Sequence, residues 1–154
     1  MTASSSLEGL LQQTALFQPG QAAAVLQSSQ QSGRGITATV AAEGIAAEPD
    51  FLAALARVLG LEYRTLDPAA LDSAVLEKLP TKAVFQNNVL PVGLDNGVLL
   101  VAASEPFQPG LIDALRLASG MRVRLVLAAS ADIARTAKKR YGVGAETVEQ
   151  LMQD

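Results

Sequence analysis

Apolar residues in the first sixty positions recur at the three- and four-residue spacing of amphipathic helices. Leu7, Leu10 and Leu11 begin this pattern. Gly33 and Gly60 mark helix ends, because glycine readily takes the left-handed conformation that closes a helix. Together with further stops, the pattern predicts four helices arranged as two helical hairpins. The three leucines either fill a core or dock a partner, and the sequence leaves both open.

The second hairpin looks like a copy of the first, displaced by about 29 residues, within the range of internal repeats. Two helical hairpins of similar length can also match by chance, so the sequence alone does not decide. The matching pairs are Leu10–Leu11 with Thr39–Val40, Leu16–Phe17 with Ile45–Ala46, and Val25–Leu26 with Ala54–Leu55.

From about residue 81 the pattern is that of strands and helices. Val89–Leu94 and Val98–Ala103 flank Asn96 and Gly97, a pair that favours a two-residue hairpin turn. The apolar run 98–103 predicts a central strand covered on both faces. The expected fold class is α+β, with an N-terminal helical subdomain followed by a small α/β unit of β-hairpin, helix, strand and helix. Its later elements are a helix from Pro109 to Gly120, a strand over Arg122–Leu127, and a helix from Ser130 to Gly142.

Four segments are expected along the chain. Residues 1–66 form the helical subdomain, 67–80 a connecting segment, 81–145 the α/β subdomain, and 146–154 the start of a linker or helix towards a further C-terminal part. The connecting segment is neither long nor polar, so it is expected to pack rather than to be a free linker. Leu71, Val75 and Leu79 predict a helix within it, stopped by Pro80.

The composition excludes several kinds of catalytic, metal and disulfide site. The chain has no histidine and no cysteine, which excludes zinc fingers, Ser–His and Cys–His pairs, and disulfides. No metal or cofactor is expected, and a hydrolase using carboxylates finds no paired acids in a recognisable motif. With a net charge of −3 and 4% aromatic residues, a nucleic-acid partner is not expected. The N-terminus is not that of a signal peptide and no apolar run reaches the roughly 20 residues of a membrane span, so a cytoplasmic protein without membrane insertion is expected.

Several charged groups are candidate binding residues, each with a structural alternative. Gly33-Arg34-Gly35 could cradle a phosphate, but a helix stop followed by a link is the favoured interpretation, and no G-x-x-x-x-G-K-[ST] loop occurs. The cations at 138–140 fit the negative end of a helix dipole better than a lipid or nucleic-acid patch. Arg122 and Arg124 either grip an acidic partner or protect a strand edge. Glu43, Glu48 and Asp50 are interpreted as helix-start charges rather than a cation site.

Four stretches, in this order, carry a resemblance to a known family. They are EGIAAEPDFLAALARVLGLEY at 43–63, VLPVGLDNGVLLVAASEPF at 89–107, DALRLASGMRVRLVLA at 113–128 and ADIARTAKKRYG at 131–142. The sequence resembles the N-terminal, MshEN-type domain of the hexameric ATPases of type II secretion and type IV pilus assembly. The resemblance implies a domain of a protein-transport machine that is not itself an enzyme. Its implied partners are the cytoplasmic domain of an inner-membrane secretion or pilus protein, which would hold it at the membrane, and its own C-terminal ATPase domain.

Some members of that family bind cyclic di-GMP through two tandem motifs of the form R-L-G-x-x-L-L-x-x-G-x-I-x-x-x-x-L-x-x-A-L-x-x-Q. In this sequence the two arginine positions fall on Ser6 and Gly35, with Arg34 one residue early. Arg34 is therefore the single candidate ligand-binding residue that the resemblance offers. The motif's glycine positions fall on Glu8 and Ala15 in the first copy, and on Thr37 and Gly44 in the second.

Overall fold

The computed structural model describes residues 3–141, with side-chain positions from residue 7 onward. Within these residues it contains eight helices and a three-stranded sheet, so the expected mixed α/β class is confirmed. The chain divides into two compact units between Tyr63 and Arg64. The predicted stop at Gly142 and the predicted segment 146–154 lie outside the described residues.

The first unit consists of four helices around a small apolar core. Each helix packs against two others, α1 and α3 both contacting α2 and α4. Leu11, Val40, Phe51 and Leu55 are fully buried there, and Phe17 meets the Phe51 ring edge-on at a centroid distance of 6.2 Å. The helices are α1 (Ala3–Gln13), α2 (Gln21–Ser32), α3 (Ile36–Ala42) and α4 (Glu48–Leu59), as the sequence predicts.

The junction after α3 shows why glycine closes these helices. Gly44 has φ +71°, its N–H donates to Ala41 O at 3.1 Å, and the N–H of Ile45 donates to Val40 O at 3.2 Å. These two bonds satisfy carbonyls that the end of a helix leaves without partners. The predicted stops at Gly33 and Gly60 have the same left-handed backbone.

The second unit is a three-stranded sheet against which helices pack. The strand order is β1-β2-β3, with β1 antiparallel and β3 parallel to β2. Every residue from Leu99 to Ala103 is buried, which confirms the prediction of a covered central strand. The elements are α5 (Ser73–Leu76), α6 (Thr81–Asn87), β1 (Val89–Asp95), β2 (Val98–Ala103), α7 (Leu111–Ser119), β3 (Arg122–Leu127) and α8 (Ser130–Tyr141).

The hairpin between β1 and β2 has the predicted two-residue turn. Asn96 and Gly97 have φ of +51° and +81°, and the flanking Asp95 and Val98 pair. Two positive φ angles are what a type I′ turn requires. The register of β1 shifts after Pro91, which places a bulge in the strand. Pro91 itself has no N–H to donate.

The segment before the sheet differs from the expectation of one helix ending at Pro80. It forms a 3₁₀ turn over 68–70 and the single-turn helix α5. Asp67 and Asp72 each accept a hydrogen bond from the N–H two residues ahead, at 3.0 and 2.9 Å, and so start two separate turns. Helix α6, which the sequence analysis did not assign, then begins after Pro80.

The connecting segment 67–80 lies within the second compact unit, and the units divide before the boundary that was expected between Leu66 and Pro80. The reason is that the chain pairs with β3 as soon as the first unit ends. The N–H of Arg64 donates to Leu127 O at 2.9 Å, and Leu66 is buried. These contacts bring residues 64–80 onto the sheet and its helices.

Candidate functional site

Arg34 lies in the short link between α2 and α3. Gly33 closes α2 in the left-handed conformation and Gly35 precedes α3 in an extended one. The backbone of Arg34 is held locally: its N–H donates to Ser32 Oγ at 3.1 Å, and Ser29 Oγ donates to its carbonyl at 2.5 Å. The residue is exposed. This geometry is that of a helix stop followed by a link, with one guanidinium in water that can meet an anion only weakly.

Two pairs of positions in the hairpins of the first unit match at the displacement seen in the sequence. Leu11 and Val40, 29 residues apart, are both fully buried. Ala15 and Gly44, separated by the same interval, both have a left-handed backbone, with φ of +64° and +71°. Ala15 is thus an alanine in a conformation that favours glycine. The structure supports the interpretation of a repeat whose first copy has lost that glycine.

The positions that the resemblance assigns to a nucleotide ligand carry little chemistry for binding one. Gly35, at an arginine position, precedes α3. Glu8, at a glycine position, is half-buried and accepts a hydrogen bond from Gln12 Nε2 at 3.5 Å. A carboxylate there repels an approaching dianion. The side chain of Ser6 lies outside the described residues.

The leucines of α1 divide into two groups. Leu11 is fully buried, so of the two alternatives left open for these leucines it takes the core role. Leu7 and Leu10 are half-buried and give α1 a partly open apolar stripe. Since α1 packs against α2 and α4, the periodicity that revealed the helix could not show which of its leucines faced them.

The cations of the last helix turn do not act alike. Lys138 and Lys139 are exposed, as the helix-dipole interpretation expects. Arg140 instead donates to the carbonyls of Pro68 and Leu71, both at 2.5 Å. Next to it, Tyr141 donates its hydroxyl to Leu76 O at 3.0 Å, and burial raises its pKa to about 12, partly offset by the charge of Arg140. Sequence reasoning missed both roles, because the partners lie some 70 residues earlier in the chain.

The other candidate charges have structural roles or none that the contacts reveal. Arg124 pairs with Asp95 at 3.0 Å across the hairpin end of the sheet, and Arg122 is exposed on the same strand. Glu48 and Asp50 lie in the first turn of α4, as predicted, whereas Glu43 follows the last residue of α3, so its interpretation as a helix-start charge is wrong. Among residues 3–141, no group of acidic side chains is placed to hold a metal ion.

The family model for the MshEN domain matches residues 59–147, more than half of the chain. The chain belongs to the MshEN domain family. The match covers nearly all of the second unit, including its three strands and α8. The recognition made from the order of sequence landmarks is therefore confirmed.

One relative in the comparison is a much longer protein. The chain is 28% identical over 133 residues to type II secretion system protein E of Xanthomonas campestris pv. campestris. That alignment takes in 82% of this chain but 23% of the relative, so the chain spans about a quarter of the curated protein that it matches.

Two solved structures share the fold across both units of this MshEN domain. A structure of MshE with cyclic di-GMP ("cdg") has a TM-score of 0.70 at 22% identity, covering 88% of this chain and 98% of that one. The N-terminal domain of XpsE has a TM-score of 0.67 at 24% identity, covering 92% and 99%. No helix in the described part of the chain combines the length and apolar character needed to cross a membrane.

Proposed function

We propose that this MshEN domain is the non-catalytic N-terminal domain of a secretion or pilus assembly ATPase. Its role is to dock the motor onto the cytoplasmic domain of an inner-membrane assembly protein and to regulate the motor domain that follows it. It would thus be cytoplasmic and held at the inner membrane by its partner. The observation that carries the proposal is the family match over 59–147, combined with the similarity to a type II secretion ATPase of which this chain spans 23%.

The half-buried stripe of α1 supports a docking role for the first unit. Leu7 and Leu10 keep part of their apolar surface open to water, whereas Leu11 is fully buried. A partner surface that covers the two open side chains gains the free energy of burying them, about 25 cal/mol per Å² of apolar area. Short helices that do not bury their apolar stripe against another surface are only marginally stable in water.

Hydrogen exchange tests the docking role. In the free domain we expect amides of residues 7–32 to exchange faster than those of Val98–Ala103, because the first unit is the smaller of the two and Val98–Ala103 form the buried central strand of the other unit. Added cytoplasmic domain of the inner-membrane partner should protect residues 7–32. Protection gained only elsewhere, or no binding in calorimetry, would remove the docking surface proposed here.

A pair of leucine variants sharpens that test. Leu10→Gln should weaken partner binding roughly tenfold, as expected for a contact worth about 1–2 kcal/mol. Leu59→Gln is the matched control, since Leu59 is also half-buried but lies on α4, outside residues 7–32. Equal loss of affinity in both variants would mean that the helices lose stability rather than contact.

A second candidate function is cyclic di-GMP reception, favoured by the fold shared with MshE and by the repeated hairpins. The two arginine positions of the family motif are not arginine here, and Glu8 adds a negative charge. Two lost charge-assisted contacts at about 1.5–3 kcal/mol each would move a micromolar site towards millimolar. We therefore expect calorimetry to detect weak binding or none. A micromolar dissociation constant, abolished by Arg34→Gln, would establish the receptor function instead.

The proposal also implies that the chain by itself does not hydrolyse nucleotides. Its 154 residues contain no Walker-type lysine loop to hold the phosphates. ATP and GTP turnover should stay at background. Turnover that survives purification and disappears on a point mutation of this chain would contradict the non-catalytic role.

A further inference from the structure

The first ten residues of the second unit are held to the rest of that unit with little apolar burial. Residues 64–73, here called the strap, contain one buried side chain, that of Leu66 at 7% exposure. The other nine residues are half-buried or exposed. Apolar burial, which normally dominates packing, therefore contributes little to holding the strap in place.

Polar side chains of α8 hold the strap instead. Asp132 Oδ2 accepts a hydrogen bond from the N–H of Leu66 at 2.7 Å. Arg135 Nη2 donates to the carbonyl of the same leucine at 3.4 Å and also pairs with Asp132. One ion pair on the helix thus binds both main-chain groups of Leu66.

Arg140 holds the remainder of the strap. Its Nη1 donates to the carbonyls of Pro68 and Leu71, both at 2.5 Å, and its Nη2 donates to Ser73 Oγ at 3.1 Å. One guanidinium therefore bridges the two ends of the 3₁₀ turn. Bonds with a charged donor are the stronger class of protein hydrogen bonds.

Most of these contacts are made to the main chain of the strap. Leu66 contributes its N–H and carbonyl, Pro68 and Leu71 their carbonyls, and only Ser73 uses a side chain. Beyond Arg64, whose N–H donates to Leu127 O of β3 at 2.9 Å, the attachment therefore depends on three side chains of α8 rather than on the identity of the strap residues. Few apolar contacts and many partly exposed hydrogen bonds are the features of segments that open locally, ahead of global unfolding.

We propose that the strap is a releasable latch, closed by Asp132, Arg135 and Arg140 of α8, which opens while the sheet stays folded. Release would free ten residues, which can span up to about 33–36 Å when extended. Helix α8 would then set how much free chain joins the first unit to the second. The latch makes α8 a control point for the reach of the first unit, whichever partner that unit binds.

Hydrogen exchange on the intact chain tests the latch with a matched pair of variants. Arg140→Gln removes the guanidinium, and Lys139→Gln removes the same charge from the exposed neighbouring residue. In Arg140→Gln the amides of Leu66, Ala69 and Ala70 should exchange at least about tenfold faster, given the strength of charged hydrogen bonds. In Lys139→Gln they should stay within about twofold of the wild type, and amides of β2 should be unchanged in both variants.

Two outcomes would overturn the latch. Unchanged exchange in the strap of Arg140→Gln would mean that the arginine does not hold it closed. Equal acceleration in the strap and in β2 would mean that the strap opens only when the whole unit unfolds. Should Arg140→Gln fail to fold, wild-type exchange at rising low denaturant gives the same answer. The strap amides must then open at a lower free energy than those of Val98–Ala103, and a common value for both would refute the proposal.

Discussion

The side-chain hydrogen bonds described in the two units join residues at different separations along the chain. In the first unit, Thr14 donates to Leu11 O three residues earlier and Thr39 to Gly35 O four residues earlier. In the second, Arg140 reaches a carbonyl 72 positions back. Bonds of this range fix each helix, and a small apolar core that includes Leu11, Val40 and Phe51 contributes to holding the helices together. The second unit has its distant segments joined directly.

This difference suggests a division of labour within the MshEN domain. A unit whose helices meet around a small apolar core can repack against a partner at lower cost than one joined by long-range polar bonds, which require one arrangement. The partly open leucines of α1 lie in the adaptable unit. The predictions below test whether the two units really differ in this way.

The largest effect is expected from a cavity in the second unit. Leu99 is fully buried in the central strand, so Leu99→Ala should lower the free energy of unfolding by about 3 kcal/mol. Exchange should accelerate in β2 and α8 but not in α4. Equal acceleration in α4 would show that the units unfold together and would end the comparison. Leu117→Ala, at a side chain 87% exposed, is the control and should change stability by less than about 0.5 kcal/mol.

A smaller loss is expected at the hairpin turn, which sets the register of β1 on β2. Gly97 has φ +81°, which a β-branched residue resists, so Gly97→Val should cost about 1–3 kcal/mol in denaturant melts. Gly97→Asn should recover much of this loss, because asparagine tolerates the left-handed conformation. Melts of the valine variant that overlay those of the wild type would count against the turn.

Two buried threonines should respond in opposite directions to the same change. Thr136 Oγ1 in the second unit has no hydrogen-bond partner among residues 3–141, so Thr136→Val should stabilise by about 1 kcal/mol. Thr39 Oγ1 in the first unit donates to Gly35 O at 2.8 Å, so Thr39→Val should destabilise by a similar amount, about 1 kcal/mol. Thermal melts of the two variants measure the signs, and a shared sign would contradict this account of their environments.

The smallest expected effect is a gain in the first unit. Ala15 has φ +64°, and Ala15→Gly should relieve that strain for a net stabilisation of about 0.5 kcal/mol, after the extra freedom of glycine in the unfolded chain is subtracted. The control is Ala23→Gly at an exposed position within α2, which should cost about 0.5–1 kcal/mol. A loss of stability at both sites would mean that Ala15 is not strained.

Local sequence signals predicted what local physics decides. The Asn–Gly pair identified the hairpin, and Gly44 identified the end of α3, because a positive φ is a property of one or two residues. The apolar run at 98–103 identified the central strand, since burial on both faces requires apolar residues throughout. The order of elements from β1 to α8 followed from these signals.

What escaped prediction depends on residues far apart. The sequence of α8 shows three cations near its end but not that Arg140 meets Pro68 and Leu71. It also could not show that Leu11 is buried while Leu10 stays partly open, because that depends on how α1 is rotated against its neighbours. Arg34 remains a prediction, since an exposed guanidinium in a link has no built surroundings from which a ligand could be inferred.

Pro91 and the bulge that follows it affect how β1 could pair with a strand of another molecule. β1 is an edge strand, and edge strands of separate molecules can pair and start aggregation. Proline supplies no donor for such pairing, and the bulge that follows disturbs the spacing that an incoming strand would need. Copies of this domain held side by side at high local concentration should therefore resist pairing through their β1 edges.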